Sequence, residues 1–124
     1  VFGVAALGYF IGKNPGTDTT IETYADHIDH AVNLIGIEHV ALSTDFPIRG
    51  LKSWVTKEEW YEPRLTIFKP SYDVQWPPYL PELDPPERFR NLIAVLDRRG
   101  WKTRDMERLL GENWLRLFRD VFGN

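Results

Sequence analysis

The residues best suited to chemistry in this chain end a short apolar stretch, His39-Val40-Ala41-Leu42-Ser43-Thr44-Asp45-Phe46. Small and apolar strand-forming residues lead there directly to a carboxylate. A buried parallel strand of this kind delivers Asp45 to the carboxyl end of a sheet or barrel, where α/β active sites lie. A carboxylate in that position serves as a general acid and base or as a ligand. On residue types alone, the alternative stays open that Asp45 only anchors the following loop.

A second polar group, Asp26-His27-Ile28-Asp29-His30, has the residue types of a metal site. His27 and His30 are neighbours on one helix face, and helix pairs of this kind supply two ligands in some metal centres. Further ligands must then converge from other elements. The remaining histidine, His39, is predicted at the opposite end of the strand from Asp45. We therefore predict no metal ligands in this chain and a structural role for His27 and His30.

Composition excludes several classes of protein. The 124 residues suffice for one domain, and their 43% hydrophobic content suffices for a core. The absence of cysteine excludes disulfides and thiolate catalysis and leaves the compartment open. A net charge of −3 argues against a nucleic-acid partner. No apolar run approaches the roughly 20 residues of a transmembrane segment.

The first 45 residues are predicted to form a parallel strand–helix–strand unit that positions Asp45. The predicted elements are a strand over residues 1–7, a turn over 12–18, a helix that starts after Thr19 and is ended by Gly36, and a strand over 37–43. Thr19 and Glu22 are predicted as the N-cap and third residue of the helix, in a capping box. The continuous apolar character of the first strand indicates a strand covered on both faces.

Residues 47–83 form a long loop rich in aromatic residues and proline, with a predicted helical turn only at 57–61. Long loops in compact domains are usually functional. Because this one starts beside Asp45, we predict that it packs over whatever Asp45 faces. A ligand pocket, a subunit interface and a small satellite core all remain open for it.

The last third of the chain is predicted to form two helices. The first has Asp84 as N-cap, Pro85 and Glu87 in its first turn, and Gly100 after its end. Its predicted buried stripe consists of Phe89, Leu92, Ile93 and Leu96. The second helix is predicted to have Thr103 as its N-cap and to bend or break at Gly111. A solvated surface is predicted for the arginines, namely Arg88, Arg90, Arg98, Arg99, Arg104, Arg108, Arg116 and Arg119.

Two parallel strands and a few helices are a poor closed architecture, since the strands need neighbours and open edges bind other strands. The chain also lacks an initiator methionine and starts inside a predicted strand. We therefore expect that Val1 is not a natural N-terminus. The missing part of the sheet or barrel then lies upstream or in another chain, and a homo-oligomer is possible.

Three blocks of sequence in order resemble the C-terminal part of the membrane (renal) dipeptidase family of zinc peptidases. They are Tyr24-Ala25-Asp26-His27-Ile28-Asp29-His30, Gly36-Ile37-Glu38-His39-Val40-Ala41-Leu42-Ser43-Thr44-Asp45-Phe46, and residues 92–101 followed by Leu109-Leu110-Gly111-Glu112-Asn113-Trp114-Leu115-Arg116-Leu117-Phe118. The resemblance extends over nearly the whole chain except the loop at 47–83.

The resemblance implies a TIM-like (β/α)8 barrel in which two zinc ions support the hydrolysis of dipeptides. Residues 1–124 would then be a C-terminal fragment of one barrel domain, with the last two strands, their helices and a C-terminal helix. The zinc ligands of the family lie upstream of this region, so the fragment alone is expected to be inactive. Asp45 matches the family aspartate that transfers protons at the end of the final strand.

Departures from the family concern the substrate pocket. The family commonly has Asp-Phe-Asp-Gly where this chain has Asp45-Phe46-Pro47-Ile48, and some members have Asn-Phe-Tyr where it has Ala5-Ala6-Leu7. The loop at 47–83 is also longer than in mammalian members. Two alternatives follow: an amidohydrolase of the same fold with a different amide substrate, and a non-catalytic partial-barrel module that binds a partner.

Overall fold

A computed structural model describes residues 1–12, 19–47, 49–53, 55–78 and 80–123. Its strands are β1 (Phe2–Val4) and β2 (Val40–Leu42). Its α-helices are α1 (Gly8–Ile11), α2 (Ile21–Ile35), α3 (Lys57–Trp60), α4 (Arg88–Arg98), α5 (Thr103–Glu107) and α6 (Asn113–Phe122). Five short 3-10 turns lie at Ile37–His39, Leu51–Ser53, Glu62–Arg64, Pro70–Tyr72 and Pro81–Leu83, and a π-helical turn, Arg108–Glu112, joins α5 to α6.

The predicted strand–helix–strand unit is present. Strands β1 and β2 pair in parallel, with Phe2 opposite Val40 and Val4 opposite Leu42. Both strands are shorter than predicted, because the chain turns into α1 after β1 and forms a 3-10 turn before β2. Within the described residues the sheet has only these two strands. The α/β class is thus confirmed, while the (β/α)8 barrel stays a prediction.

Helix α2 provides the centre of the core. Its buried face includes Tyr24, Ala25 and Ile28, which share one apolar cluster with residues of β1, β2 and α4. The Tyr24 hydroxyl donates a 2.7 Å hydrogen bond to the Val4 carbonyl, so its polar end is satisfied inside the core. Burial raises the pKa of Tyr24. Helix α2 therefore fixes β1 by packing and by this hydrogen bond.

The N-terminus of α2 differs by one residue from the prediction. Thr20, not Thr19, is the N-cap, and it forms a reciprocal capping box with Thr23 rather than with Glu22. The Thr19 hydroxyl donates instead to the Gly8 carbonyl, at 3.3 Å. Adjacent threonines have the same capping chemistry, and the tertiary contact of the first leaves the second to cap the helix.

Helix α4 starts later than predicted. Arg88 is its first residue and Glu87 precedes it, without a side-chain cap from Asp84. The Asp84 carboxylate accepts a 2.8 Å hydrogen bond from the Leu51 amide of the long loop instead. Phe89 is 45% exposed rather than part of the buried stripe. The prediction of Thr103 as an N-cap is also wrong, because Thr103 is the first residue of α5, after Lys102, and makes no side-chain cap.

Two further predictions agree with the structure, and a third falls mostly on residues that the structure does not describe. The predicted helical turn is α3, and the predicted bend at Gly111 coincides with the π-helical turn between α5 and α6. Residues 13–18 of the turn predicted over 12–18 lie outside the described residues. No described helix has the length and apolar character needed to cross a membrane.

Arg99 ties the end of α4 to α2. Its guanidinium lies 2.7 Å from a Glu22 oxygen, 2.8 Å from an Asp26 oxygen and 2.7 Å from an Asp29 oxygen. The Trp101 indole also donates to Asp29, at 2.8 Å. Hydrogen bonds from Arg99, and secondarily from Arg98, lower the pKa of the Glu22 carboxyl. The two aspartates of the Asp-His-Ile-Asp-His run thus contribute to the joint between helices.

The lowered pKa of Glu22 predicts a pH-dependent stability. Because the folded state favours the charged carboxylate, its contribution is complete above the ordinary glutamate pKa of about 4.3 and is lost as pH falls through the lowered value. We expect Glu22→Gln to remove this part of the acid dependence in urea unfolding measured across acidic pH. Glu58→Gln, which removes an exposed carboxyl on α3, is the control. Identical acid profiles for both variants would contradict the prediction.

Candidate active site at the carboxyl ends of the strands

Asp45 lies three residues beyond the end of β2 and is exposed. Its φ of 59° lies in the left-handed region, which costs a residue with a side chain about 1 kcal/mol. The Thr44 hydroxyl accepts a 3.3 Å hydrogen bond from the Phe46 amide across this turn. Asp45 therefore adopts a left-handed backbone conformation just beyond the carboxyl end of β2. Strained backbone of this kind is concentrated at functional sites.

The segment after Asp45 is held by Arg88, the first residue of α4. Arg88 is only 4% exposed, which corrects its predicted place on a solvated surface. Its guanidinium donates to the Pro47 carbonyl at 2.8 Å and to the Asp84 carbonyl at 2.9 Å. It also lies over the Phe46 ring, 5.2 Å from the ring centroid. Arg88 thus binds both ends of the long loop.

Gly50 and Asp84 make a second connection between the two ends of the loop. Gly50 has a φ of +83°, and a Cβ there would lie 2.5 Å from the Asp84 carbonyl oxygen. Only glycine allows this approach, which places the next amide, that of Leu51, on the Asp84 carboxylate. The loop is therefore closed at its base although most of it lacks regular structure.

Part of the aromatic loop packs at the same edge of the sheet, against Tyr9. Tyr9 lies in α1, the helix that follows β1, and its ring centroid is 5.8 Å from that of Phe68. Trp60 continues the cluster, with its centroid 6.3 Å from Phe68 and 5.6 Å from Trp76. The loop therefore contacts α1, the helix that follows β1. Three residues of the predicted loop lie outside the described residues, namely Ile48, Trp54 and Tyr79.

Tyr9 and Asp45 share an electrostatic environment. Burial raises the pKa of Tyr9, and the negative charge of Asp45 raises it further. The carboxyl ends of the two parallel strands thus bring a phenol and a carboxylate to one edge.

Sequence reasoning missed Tyr9 and misjudged Arg88. The available signal for Tyr9 was its position five residues beyond Val4, while nothing local distinguishes Arg88 from its neighbouring arginines.

The histidines lie away from this edge. The His27 Nε2 atom is 2.8 Å from the Ile11 carbonyl oxygen, which joins α2 to α1. His39 ends the 3-10 turn before β2. Over the described ranges, no three His, Asp or Glu side chains gather closely enough to hold a metal ion. The carboxylates next to His27 and His30 face Arg99 instead.

Replacing Arg88 by methionine tests its role at the base of the loop. We expect Arg88→Met to lower the free energy of unfolding by about 2–3 kcal/mol, because buried carbonyls lose their donor. Arg90→Met, two residues along α4 and exposed, should change it by less than about 0.5 kcal/mol. Urea denaturation measures both. Equal losses in the two variants would show that Arg88 does not anchor the loop.

Replacing Asp45 by asparagine tests its proximity to Tyr9. We expect Asp45→Asn to lower the Tyr9 pKa toward its ordinary value without reaching it, because burial remains after the charge is removed. Titration of the tyrosine ring carbons by NMR measures this pKa. Asp73→Asn, at an exposed loop aspartate that also has positive φ, is the matched control. A Tyr9 pKa unchanged by Asp45→Asn is the contradicting result.

Comparisons with known proteins agree with the family named from the sequence. A sequence model described as membrane dipeptidase (peptidase family M19) matches residues 1–58. Dipeptidase tcpJ of Claviceps purpurea (strain 20.1) is 24% identical over 118 residues, which is 95% of this chain and 21% of that protein. A crystal structure of an amidohydrolase from Pseudomonas aeruginosa shares 29% identity and a TM-score of 0.67, over 98% of this chain and 36% of that chain.

The chain thus spans about a fifth, 21%, of the curated relative that it matches. The family match includes β1, α2, β2 and Asp45, the elements that form the edge described above. Together with the dipeptidase relative, this match shows that the chain is similar to the membrane dipeptidase family, most clearly over residues 1–58.

Proposed function

We propose that this chain is the C-terminal part of a zinc-dependent dipeptidase-like hydrolase, with Asp45 as its proton-transfer residue. The observation that carries the proposal is the position of Asp45, at the carboxyl end of a parallel strand and on a left-handed backbone turn. Carboxyl ends of parallel strands are where barrel enzymes hold their catalytic side chains. The family match supports hydrolysis of a peptide or amide bond as the reaction class.

In this proposal Asp45 acts on the attacking water and on the leaving group. It takes a proton from water as the water oxygen bonds to the scissile carbonyl carbon, and it gives that proton to the amine as the C–N bond breaks. Its exposure leaves the carboxylate accessible to a small peptide or amide substrate. The Arg88 contacts would hold the adjacent backbone, so that the carboxylate keeps its direction.

The described residues do not fit a zinc site. His27 is hydrogen-bonded to a backbone carbonyl, and the neighbouring aspartates pair with Arg99. Zinc, when held by ligands upstream of this chain, would polarise the carbonyl and activate water. We therefore assign no ligand in this chain and derive no step through the metal. The 124 residues alone are expected to show no turnover.

An apolar groove beside β1 supports the proposal that this chain is one part of a larger barrel. The groove has a volume of about 440 Å³ and lies between β1 and α2. Its walls include side chains that are unusually exposed, with Phe2 at 55%, Phe10 at 63% and Leu34 at 73%. In the proposed barrel, the preceding strand and helix of the longer polypeptide cover this groove, as expected for a parallel strand buried on both faces. The greater length of both relatives is consistent with such a segment.

Two alternatives also have observations in their favour. The exposed groove equally suits a non-catalytic partial-barrel module that associates with a second copy or another partner. The amidohydrolase similarity and the Pro47 departure suit the same fold acting on a different amide. Concentration-dependent oligomers of a zinc-free chain would favour the first. Hydrolysis of other amides, but not of dipeptides, by the longer protein would favour the second.

The catalytic proposal is tested in the longer protein that contains this chain, loaded with zinc. We expect Asp45→Asn to lower kcat for dipeptide hydrolysis about 10²–10⁴-fold, with the zinc content unchanged. Asp73→Asn should keep the wild-type kcat. Full activity of Asp45→Asn would remove Asp45 from the mechanism. Chelator-sensitive dipeptidase activity of the 124 residues alone would contradict the assignment of the ligands to an upstream segment.

A further inference from the structure

A small pocket, which we call the loop pocket, lies between α1 and the long loop. Gly8 and Tyr9 of α1 line one side, and Trp76, Pro77 and Pro78 of the loop line the other. Its volume is about 150 Å³. A cavity of about this size holds a molecule as large as benzene. The loop pocket therefore has room for one compact apolar side chain.

Hydrogen bonds join the two sides of the loop pocket. The Gly8 amide donates to the Pro78 carbonyl at 3.3 Å, and the Gly8 carbonyl accepts a bond from the Thr19 hydroxyl, also at 3.3 Å. Leu80, which also lines the pocket, is 2% exposed and belongs to the main apolar core. The two sides are thus connected to each other and to the core, so the pocket is preformed, as small-molecule sites usually are.

The glycine at position 8 leaves part of this space open. A Cβ there would lie 3.7 Å from the Pro78 carbonyl oxygen, 3.8 Å from the Thr19 Cβ and 3.9 Å from the Leu80 Cδ2. All three neighbours line the loop pocket, and the distances are those of ordinary van der Waals contact. Gly8→Ala would therefore make the pocket smaller while its walls stay in place.

The polar groups of the loop pocket are already bonded to the protein. The Gln75 amide nitrogen donates to an Asp73 carboxylate oxygen at 2.8 Å, and the Thr19 hydroxyl donates to the Gly8 carbonyl. Among the described residues that line the pocket, none is charged. A charged side chain would lose its hydration there without gaining an ion pair, which is costly. The pocket therefore favours an apolar occupant.

The loop pocket lies beside the candidate active site. Val4 pairs with Leu42, so the segments that leave the two strands start side by side. Tyr9 follows in one segment and Asp45 in the other. Tyr9 lines the pocket, and the charge of Asp45 contributes to the raised pKa of its phenol. A substrate whose scissile bond lies at Asp45 would therefore reach the pocket with a neighbouring side chain.

We propose that the loop pocket binds one apolar side chain of the substrate, about the size of leucine, and that Gly8 and Trp76 determine this preference. The proposal rests on the proposed function, because it takes Asp45 as the catalytic residue. The Trp76 ring supplies apolar contact, and Gly8 leaves the space. The long loop would thus select the substrate, in addition to packing at the edge of the sheet.

NMR titration of the full 124-residue chain tests the loop pocket without catalysis. The probes are N-acetyl-leucine amide and N-acetyl-glycine amide, and the signal observed is that of the Trp76 indole N–H. We expect the leucine probe to bind about tenfold more tightly, because only this probe has a side chain to bury. A Trp76 signal that responds equally to both probes, or to neither, would overturn the loop pocket, whether or not any variant folds.

Gly8→Ala tests whether the space at position 8 sets the preference. We expect the leucine probe to lose its roughly tenfold advantage, because the added methyl group takes space that the isobutyl group needs. Gly111→Ala is the matched control, since nothing lies within 4 Å of a Cβ at that position. It should leave both affinities unchanged. A leucine preference that persists in Gly8→Ala would overturn the role assigned to Gly8.

Kinetics of the zinc-loaded longer protein test the substrate role, with glycylglycine, leucylglycine and glycylleucine as substrates. We expect one of the two leucine dipeptides to have a kcat/KM about tenfold above that of glycylglycine, and Gly8→Ala to remove this advantage. Equal kcat/KM values in the wild-type protein would overturn the substrate role alone. Hydrolysis of none of the three would overturn the proposed function and the substrate role together, while the titration still decides whether the loop pocket binds an apolar side chain.

Discussion

The arrangement of this chain depends on the hydrogen bonds along both edges of β2. On one side β2 pairs with β1, and on the other its carbonyls accept bonds from Asn113 and Trp114. A two-stranded parallel sheet is otherwise unstable in water, because its peptide groups and both faces need cover. Helix α2 covers one face and the Trp114 ring covers part of the other. The position of Asp45 follows from this, since the chain leaves β2 only three residues earlier.

A buried charge holds the backbone after Asp45. Burying a guanidinium removes its hydration, which is costly unless hydrogen bonds replace it. Arg88 finds backbone carbonyls on both sides of the long loop and an aromatic face. The planar fork of arginine can reach several acceptors at once, which the single ammonium of lysine does not. The contact therefore selects one arrangement of the loop base, and this constraint suits a site that must keep one carboxylate in place.

Local patterns predicted those parts of the fold that depend on local interactions. Helix α2 ends where predicted because its apolar period is regular and Gly36 adopts a φ of +85° at its end. The start of α4 was wrong because the Asp84 carboxylate binds an amide 33 residues away. A capping aspartate and a loop-binding aspartate have the same local sequence. Only the folded chain distinguishes them.

At the candidate site, too, local sequence identifies one residue, and only the folded chain identifies the others. Asp45 could be found because an apolar strand and its terminal carboxylate are adjacent in sequence. Its neighbours could not be found in this way, since Arg88 and Pro47 are 41 residues apart and Asn113 and Val40 are 73 apart. A parallel sheet makes such distances unavoidable, because each strand is separated from the next by a crossover. Residues that hold a strand at the edge of such a sheet therefore come from remote helices, where their polar side chains resemble ordinary surface residues.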